Sequence, residues 1–301
     1  MALEKESRYA DSVEWFLDHL RSEKGASSHT VAAYARDLAD ACAFFSELGR
    51  RAWEDVRPED FVKYQTRLGK SFSASTARRR TSALRSLLKF LNRQGELKEG
   101  VLPSAAVVRL PKRVPKALSL EELDSLLCSP DLGTASGIRD RTFMEIVYGT
   151  GLRVSEAVGL RLDELDLDSA AFRVTGKRSK VRWVPIPRHT MPWIELYLKS
   201  ARPQLVKRPV AEMFLGDRGA KLSRQSAYML LDKHRRRAGI PKAVSPHTLR
   251  HTYAVHLVQG GADLRAVQEL LGHASISTTQ VYTQLDLAHV RQTYDKSHPR
   301  K

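Results

Sequence analysis

The chain has 301 residues, 42% hydrophobic and 28% charged, a composition typical of a globular protein of about two domains that excludes a disordered chain. Its 50 Lys and Arg against 34 Asp and Glu give a net charge of +16, which favours a polyanionic partner, nucleic acid first, although a merely soluble basic surface is also compatible. Two cysteines, no apolar run of about 18 residues and an acidic start exclude a disulfide scaffold, a membrane span and a signal peptide, so we expect a soluble, cytoplasmic protein.

Residues 1–100 have the pattern of a small all-helical domain. Apolar side chains recur at helical spacing around residues 13–20, 31–45 and 76–92. The third helix begins with Arg78, Arg79 and Arg80, which have no acidic neighbour in the sequence. A charge run on a helix is usually a solvated face, but arginines without acidic partners also predict contacts to DNA phosphates, and both interpretations stay open.

The clearest boundary in the chain is the segment VLPSAAVVRLPKRVPK, residues 101–116. It contains three prolines, four basic residues and no acid. Prolines at this spacing do not fit inside a helix and favour extended backbone. The sequence therefore predicts a basic linker between an N-terminal domain, residues 1–100, and a C-terminal domain, residues 117–301. The linker suits a phosphate backbone and is equally compatible with a plain solvated connection.

Residues 117–301 combine helical patterns with one β signal. Ser119, followed by two glutamates, predicts a helix start, and a further helix is predicted over residues 138–148. Apolar and polar residues alternate over 171–187 around the polar turn KRSK, which predicts a hairpin, and helical patterns return from Ser223 onward. The expected fold class is mainly α, with a small β-sheet or hairpin in the C-terminal domain.

The segment SPHTLRH begins a helix that carries two candidate functional side chains. Ser245 fits the N-cap and Pro246 the first helical position, so His247 lies in the first turn and Arg250 one turn later on the same face. A helix N-terminus with a histidine and an arginine is suited to binding an anion. A zinc site on this helix is disfavoured because a threonine follows His247 where a metalloprotease helix needs glutamate, so no metal is expected.

Four further segments hold residues with chemical potential. Arg153 follows a glycine-rich turn in GLRVSE, with Glu156 one turn later, and Lys177 enters the hairpin turn at TGK. His273 follows a predicted helix end in LLGH, and Tyr282 lies just after the capping sequence STTQ. Each residue alone also fits a structural role, such as a weak surface ion pair or a packing tyrosine.

Together these segments resemble the tyrosine recombinases, and most closely the Xer branch that resolves chromosome dimers. The resemblance covers nearly the whole chain, including GADLRAVQELLGHASISTTQVYT at residues 261–283. It implies a two-domain, C-shaped DNA clamp, built from an α-helical SAM-like core-binding domain and a tyrosine-recombinase catalytic domain. It assigns the family's catalytic positions to Arg153, Lys177, His247, Arg250, His273 and Tyr282.

The resemblance also implies a mechanism without a metal or nucleotide cofactor. Tyr282 would be the nucleophile that forms a 3′-phosphotyrosyl bond, His247 the acid/base beside it, and Lys177 the proton donor to the leaving oxygen. The two arginines would clamp the phosphate, His273 would add a hydrogen bond, and Glu156 would be accessory, supporting Arg153.

The implied partners follow from the same resemblance. They are double-stranded DNA, a homo- or hetero-tetramer with a sister recombinase on two DNA sites, and a septal DNA translocase, with the protein in the cytoplasm at the nucleoid. Candidate DNA contacts are Arg224 and Arg78, Arg79 and Arg80.

Two other functions remain to be separated from recombination. A non-catalytic, architectural DNA-binding protein could use the same scaffold, but it would have no need of an aligned tyrosine, arginines, histidines and lysine. A type IB topoisomerase uses a similar set of side chains to relax supercoils without a defined site. The helical N-terminal domain and the modest length favour the recombinase.

Overall fold

The protein is described by a computed structural model that covers residues 7–97, 117–176, 181–263, 266–267, 270–271 and 297. The chain divides into two units, Met1–Lys112 and Arg113–Lys301, each with its own apolar core. The predicted linker at 101–116 lies outside the described residues, so it and the domain limits stay predictions. No helix in the described ranges has the length and apolar character needed to cross a membrane.

Four α-helices form the N-terminal unit over residues 7–97. They are α1 (Ser7–Ser22), α2 (Ser28–Glu47), α3 (Pro58–Ser71) and α4 (Ala74–Arg93). Phe16, Phe45 and Leu87 are buried on the faces predicted to be apolar. Helix α3 was not predicted, although Pro58 occupies its first turn, acidic residues follow, and Phe61, Tyr64 and Leu68 recur at helical spacing on its buried face.

Helices also dominate the described part of the C-terminal unit. They are α5 (Leu120–Cys128), α6 (Ala135–Thr150), α7 (Val154–Ala157), α8 (Met191–Leu196), α9 (Arg202–Leu205), α10 (Arg224–Arg237) and α11 (Pro246–Gln259). The predicted N-caps are confirmed, since the hydroxyls of Ser119 and Ser245 accept hydrogen bonds from the third residue of α5 and α11. Helices α8 and α9 were not predicted.

The predicted hairpin is confirmed and gains a third strand. Strands β1 (Leu165–Asp166), β2 (Ala171–Thr175) and β3 (Val181–Pro185) form an antiparallel sheet in the order β1-β2-β3. In the register of β2 and β3, Val174 lies opposite Arg182 and Phe172 opposite Val184. Because side chains alternate along a strand, these four point to one face of the sheet.

Helix α11 packs against α6 at the point where α6 ends. Gly151 ends α6 in a left-handed conformation, with φ of 62°, and a Cβ there would lie 2.6 Å from a ring carbon of Tyr253 on α11. Both the backbone angle and the close approach therefore require glycine. This contact brings the turn after α6 to the first turns of α11, and the candidate catalytic arginines lie on these two segments.

Candidate active site

Arg153 lies at the N-cap of the short helix α7, two residues after Gly151. Its backbone N–H donates to the Glu156 carboxylate at 2.8 Å, and its guanidinium Nη1 donates to the same carboxylate at 3.1 Å. Glu156 thus binds Arg153 through two hydrogen bonds, and its accessory role in catalysis stays a prediction. The side chain of Arg153 keeps 29% of its surface exposed, so it can also reach a ligand.

The Glu156 carboxylate is almost fully buried and is shared between two arginines. Arg182 of β3 donates through both ends of its guanidinium fork, from Nη1 to Oε1 and from Nη2 to Oε2, each at 3.0 Å. Burial by itself raises the pKa of Glu156, but the hydrogen bonds and charge of Arg182, with help from Arg153, outweigh it and lower the pKa. Glu156 is therefore ionised at neutral pH.

Arg250 is held in place by two backbone carbonyl groups. Its Nη1 donates to the carbonyl of Gly151 at 2.5 Å, and its Nη2 donates to the carbonyl of Leu271 at 2.6 Å. Burial and the like charges of Arg153 and Arg182 lower the pKa of Arg250 to about 10, against the opposing effect of Glu156. Arg250 therefore stays protonated at neutral pH, and the carbonyls fix the direction of its fork.

His247 lies in the first turn of α11, three residues before Arg250, and its side chain is exposed. The turn is fixed by a reciprocal pair of bonds, because Thr248 N–H donates to the Ser245 hydroxyl at 3.2 Å and Ser245 N–H donates to the Thr248 hydroxyl at 3.1 Å. His247 and Arg250 therefore leave the same end of one rigid helix, as the sequence predicted.

These residues form a cationic cluster suited to an anion. The guanidinium groups of Arg153 and Arg182 bind the carboxylate of Glu156, and the charge of Arg250 lies close enough to interact with all three. The net charge of these four side chains is +2. The planar guanidinium group of arginine matches the spacing of two phosphate oxygens. No cluster of three or more metal-ligating side chains occurs in the part of the chain that the structure describes.

Three of the six residues assigned by resemblance lie outside the described residues. They are Lys177, His273 and Tyr282. Their positions relative to the arginines stay predictions. The strands on either side of residues 177–180, and Leu271, lie within the described residues. Strand β3 contributes Arg182 to this group of arginines, and the carbonyl of Leu271 accepts a hydrogen bond from Arg250.

The N-terminal arginines have partners that the sequence did not indicate. Arg79 forms a short ion pair with Asp37 of α2, and Arg80 lies 2.6 Å from Asp40. The Arg80 guanidinium also lies over the ring of Phe72, 3.9 Å from its centre. The premise that no acid is available to these arginines is therefore wrong, because helix α2 supplies two carboxylates across the helix pair. Contact to DNA by Arg78, Arg79 and Arg80 stays a prediction.

Arg224 is the first residue of α10, and its side chain is exposed. The helix is capped by Ser223, whose hydroxyl accepts a hydrogen bond from the N–H of Ser226 at 2.9 Å. This exposed position at a helix N-terminus is compatible with a contact to a phosphate. The DNA contact itself stays a prediction.

Sequence reasoning missed Arg182, although a signal was present. Arg182, Val184 and Ile186 occupy alternate positions, so the arginine is on the apolar face of its strand. A charged residue at an inward position needs a buried partner, and its side chain is only 15% exposed in the structure. That partner is Glu156, 26 residues earlier in the chain.

Two family models match the sequence in these two regions. The model described as "Phage integrase family" matches residues 116–289, and "Phage integrase, N-terminal SAM-like domain" matches residues 13–95. The chain belongs to the phage integrase family. The first match spans more than half of the chain, including all six residues assigned by resemblance and the arginine cluster described above.

Curated relatives narrow the family to the Xer branch of tyrosine recombinases. The chain is 40% identical over 290 residues to "Tyrosine recombinase XerD" of Lacticaseibacillus casei, covering 95% of this chain and 97% of the relative. It is 38% identical over 295 residues to "Tyrosine recombinase XerC" of Roseiflexus sp. (strain RS-1), covering 96% and 94%. The chain is thus a site-specific tyrosine recombinase, a DNA strand-transferase of a family that needs no cofactor, and the two alternative functions are not favoured.

Solved structures of similar fold support the mainly α fold class. A XerH site-specific recombinase bound to palindromic difH substrate aligns with a TM-score of 0.69 at 22% identity, over 93% of this chain and 83% of that one. The Tn1549 transposon integrase in complex with circular intermediate DNA aligns with a TM-score of 0.70 at 18% identity, over 93% and 98%. At these identities the likeness concerns the fold alone.

Proposed function

We propose that this recombinase breaks one DNA strand at a defined site by attack of Tyr282 on the scissile phosphodiester. The tyrosine oxygen forms a bond to phosphorus, the bond from phosphorus to the 5′-oxygen breaks, and the 5′-hydroxyl leaves with a proton. The 3′-phosphotyrosyl bond stores the energy of the broken linkage. A 5′-hydroxyl from the partner strand then attacks the phosphorus and releases the tyrosine, so strand exchange needs no external energy source.

The observation that carries this proposal is the set of arginines fixed around Glu156. Arg153 and Arg250 would bind the two non-bridging oxygens of the phosphate, where negative charge builds up in the pentavalent transition state. Because carboxylate and carbonyl groups already hold both side chains, little reorganisation is needed when the phosphate arrives. This favours catalysis over simple DNA binding.

The remaining roles concern protons. A tyrosine has a pKa of about 10 and is a weak nucleophile when protonated, so it needs a base and nearby positive charge. His247, exposed beside Arg250, is the proposed acid/base for the Tyr282 hydroxyl. Lys177 is the proposed proton donor to the leaving 5′-oxygen, and His273 adds a hydrogen bond to the phosphate.

The proposed cellular role is the resolution of chromosome or plasmid dimers in the cytoplasm, at the nucleoid. Relatives named XerD and XerC support this role. Four subunits, of one kind or shared with a sister recombinase, would join two DNA sites and exchange strands in two steps through a Holliday junction. Contact with a septal DNA translocase would control the timing.

The proposed assignment of regions follows the sequence. Residues 1–100 would form the core DNA-binding domain, 101–116 the linker, and 117–301 the catalytic domain. Arg224 and Arg78, an exposed arginine at the start of α4, would contact DNA phosphates.

The test is a covalent trap on a duplex nicked beside the expected cleavage point, taken from a pool of candidate dimer-resolution sites. The nick lets the short 5′-hydroxyl fragment diffuse away, so the cleaved strand stays attached to the protein. Wild type should give a protein–DNA adduct on a denaturing gel, and Tyr282→Phe should bind the same duplex in a gel shift without forming one.

The matched control is Tyr34→Phe, which removes a hydroxyl from a half-buried tyrosine of α2 and should form the adduct at the wild-type rate. If wild type binds the duplex but forms no adduct, either alone or with an added sister recombinase, the proposed reaction is wrong. An adduct that persists in Tyr282→Phe would mean that another residue is the nucleophile.

A further inference from the structure

We propose that Arg182 is a positioning residue of this active site, which holds Glu156 and through it the guanidinium of Arg153, and so couples strand β3 to the catalytic arginines. The inference rests on the function proposed above and adds a residue to it. Arg182 does not belong to the set of six that the family resemblance assigned.

The geometry of Glu156 carries the inference. A carboxylate offers about four lone-pair positions, and four hydrogen bonds fill them here. Oε1 accepts from Nη1 of Arg153 at 3.1 Å and Nη1 of Arg182 at 3.0 Å, and Oε2 accepts from the Arg153 backbone at 2.8 Å and Nη2 of Arg182 at 3.0 Å. Arg182 thus supplies half of the bonds that fix the carboxylate, and it is the only guanidinium that binds both oxygens within the described part of the chain.

Arg182 is less accessible to a phosphate than Arg153 is. Its side chain is 15% exposed against 29% for Arg153, and both of its Nη atoms donate to Glu156. Arg153 donates one Nη atom to the carboxylate and keeps the larger exposed surface, whereas Arg182 donates two and restricts the rotation of the carboxylate.

The strand that carries Arg182 gives this arrangement a second consequence. Strands β2 and β3 pair with Val174 opposite Arg182, and residues 177–180 lie between the two strands in the sequence. The bidentate bond therefore ties β3, and through its pairing β2, to the helix that carries Glu156.

The experiment measures adduct formation on the nicked duplex under single-turnover conditions, together with DNA affinity by gel shift. Arg182→Ala should leave the affinity within about threefold of wild type and slow cleavage about tenfold to a hundredfold, because a displaced clamp lowers the rate more than binding. Arg182→Lys keeps the charge but loses the fork, and it should stay at least about tenfold slower than wild type. The matched control is Arg173→Ala, which removes an arginine from the exposed face of the same hairpin and should cleave at the wild-type rate.

Two further measurements distinguish a positioning role of Arg182 from a general loss of folded structure. The double variant Arg182→Ala/Glu156→Gln leaves no lone buried carboxylate, so it guards against misfolding, and it should be no slower than the slower single variant because both act through one contact. A duplex with a methyl group in place of one non-bridging oxygen carries no charge to clamp. On that duplex the ratio of the wild-type cleavage rate to that of Arg182→Ala should be at least about tenfold smaller, because Arg153 has less negative charge to stabilise there.

Cleavage by Arg182→Ala at the wild-type rate would overturn the inference, as would full recovery in Arg182→Lys or an equal defect on the neutral duplex. The inference would also be overturned if the losses in cleavage rate of Arg182→Ala and Glu156→Gln multiplied in the double variant, because the two residues would then act independently. Failure of the proposed function gives a different result, because wild type itself would then form no adduct.

Discussion

Each unit of the chain contains a group of arginines next to acidic side chains, and the two groups differ in the number of carboxylates per arginine. In the N-terminal unit Arg67, Arg79 and Arg80 face two carboxylates, Asp37 and Asp40, and we call this set the α2–α4 cluster. In the C-terminal unit Arg153, Arg182 and Arg250 face one carboxylate, that of Glu156, and we call this set the α7–β3 cluster.

The difference shows that the number of carboxylates, and not the number of arginines, separates a structural cluster from an anion site. Asp37 is buried and bridges Arg79 and Arg80, so these charges mainly serve to join two helices. The α7–β3 cluster keeps an additional positive charge, and backbone carbonyls, which carry no net charge, hold Arg250. Three arginines and one carboxylate leave the second cluster a charge of +2 for an incoming phosphate, whereas three arginines and two carboxylates leave the first a charge of +1.

The largest expected effect comes from removing Arg250. Arg250→Ala should raise the barrier to strand cleavage by about 3–4 kcal/mol, a loss of several hundredfold in rate, because one donor to the developing charge is missing. Single-turnover adduct formation measures the rate, and a gel shift should show DNA affinity within about threefold of wild type. Arg67→Ala removes an arginine from the α2–α4 cluster and should cleave normally. Equal losses in both variants would erase the distinction between the clusters.

The second prediction concerns stability in the α2–α4 cluster. Asp37→Ala should lower the free energy of unfolding by about 1–3 kcal/mol, because Arg79 loses a charged hydrogen-bond partner and Arg80 loses an ion-pair partner. Chemical denaturation followed by tryptophan fluorescence measures the change, since Trp53 is buried in the same unit. Cleavage by the folded protein should be unaffected. Unchanged stability would show that these ion pairs do not hold the helices together.

A smaller effect is expected from acid on the α7–β3 cluster. The pKa of Glu156 in the folded protein is lowered from the ordinary value of 4.5, so its stabilisation is complete above about pH 4.5 and is lost as the pH falls through the lower folded value. The difference in unfolding free energy between wild type and Glu156→Gln should thus be constant from pH 7 to about 5 and shrink below that. A difference that shrinks already between pH 7 and 6 would contradict an ionised, arginine-bound carboxylate.

The smallest effect distinguishes arginines within α4. Arg78 is exposed, and Arg78→Ala should reduce the slope of log affinity against log salt by about one if it contacts a DNA phosphate. Arg80, only 16% exposed beside Asp40, should leave the slope unchanged when replaced by alanine, at some cost in stability. The reverse pattern would mean that the α2–α4 cluster opens when DNA binds.

Prediction from sequence worked where the interactions are local. Ser119 and Ser245 cap helices through residues three positions away, and the alternating pattern around KRSK predicted strands β2 and β3. It failed where partners are distant in the chain. Arg79 pairs with Asp37 across 42 residues, and Arg182 with Glu156 across 26.

This contrast has a physical reason. Helix and turn preferences act over about four residues, whereas distant pairs form only when the fold brings two elements together. The family resemblance supplied the six candidate catalytic positions and Glu156 as a support for Arg153, but it gave no indication of Arg182, which binds the same carboxylate.

The two carbonyl bonds of Arg250 have a consequence for the entropy of DNA binding. A free arginine side chain loses about 2 kcal/mol of rotamer entropy when it is ordered, and in this protein that loss belongs to folding because Gly151 and Leu271 already order Arg250. The two bonds occupy two of its five donors and leave three for a phosphate. A lysine at this position would carry the same charge, but its side chain would have to be ordered anew each time a site is bound.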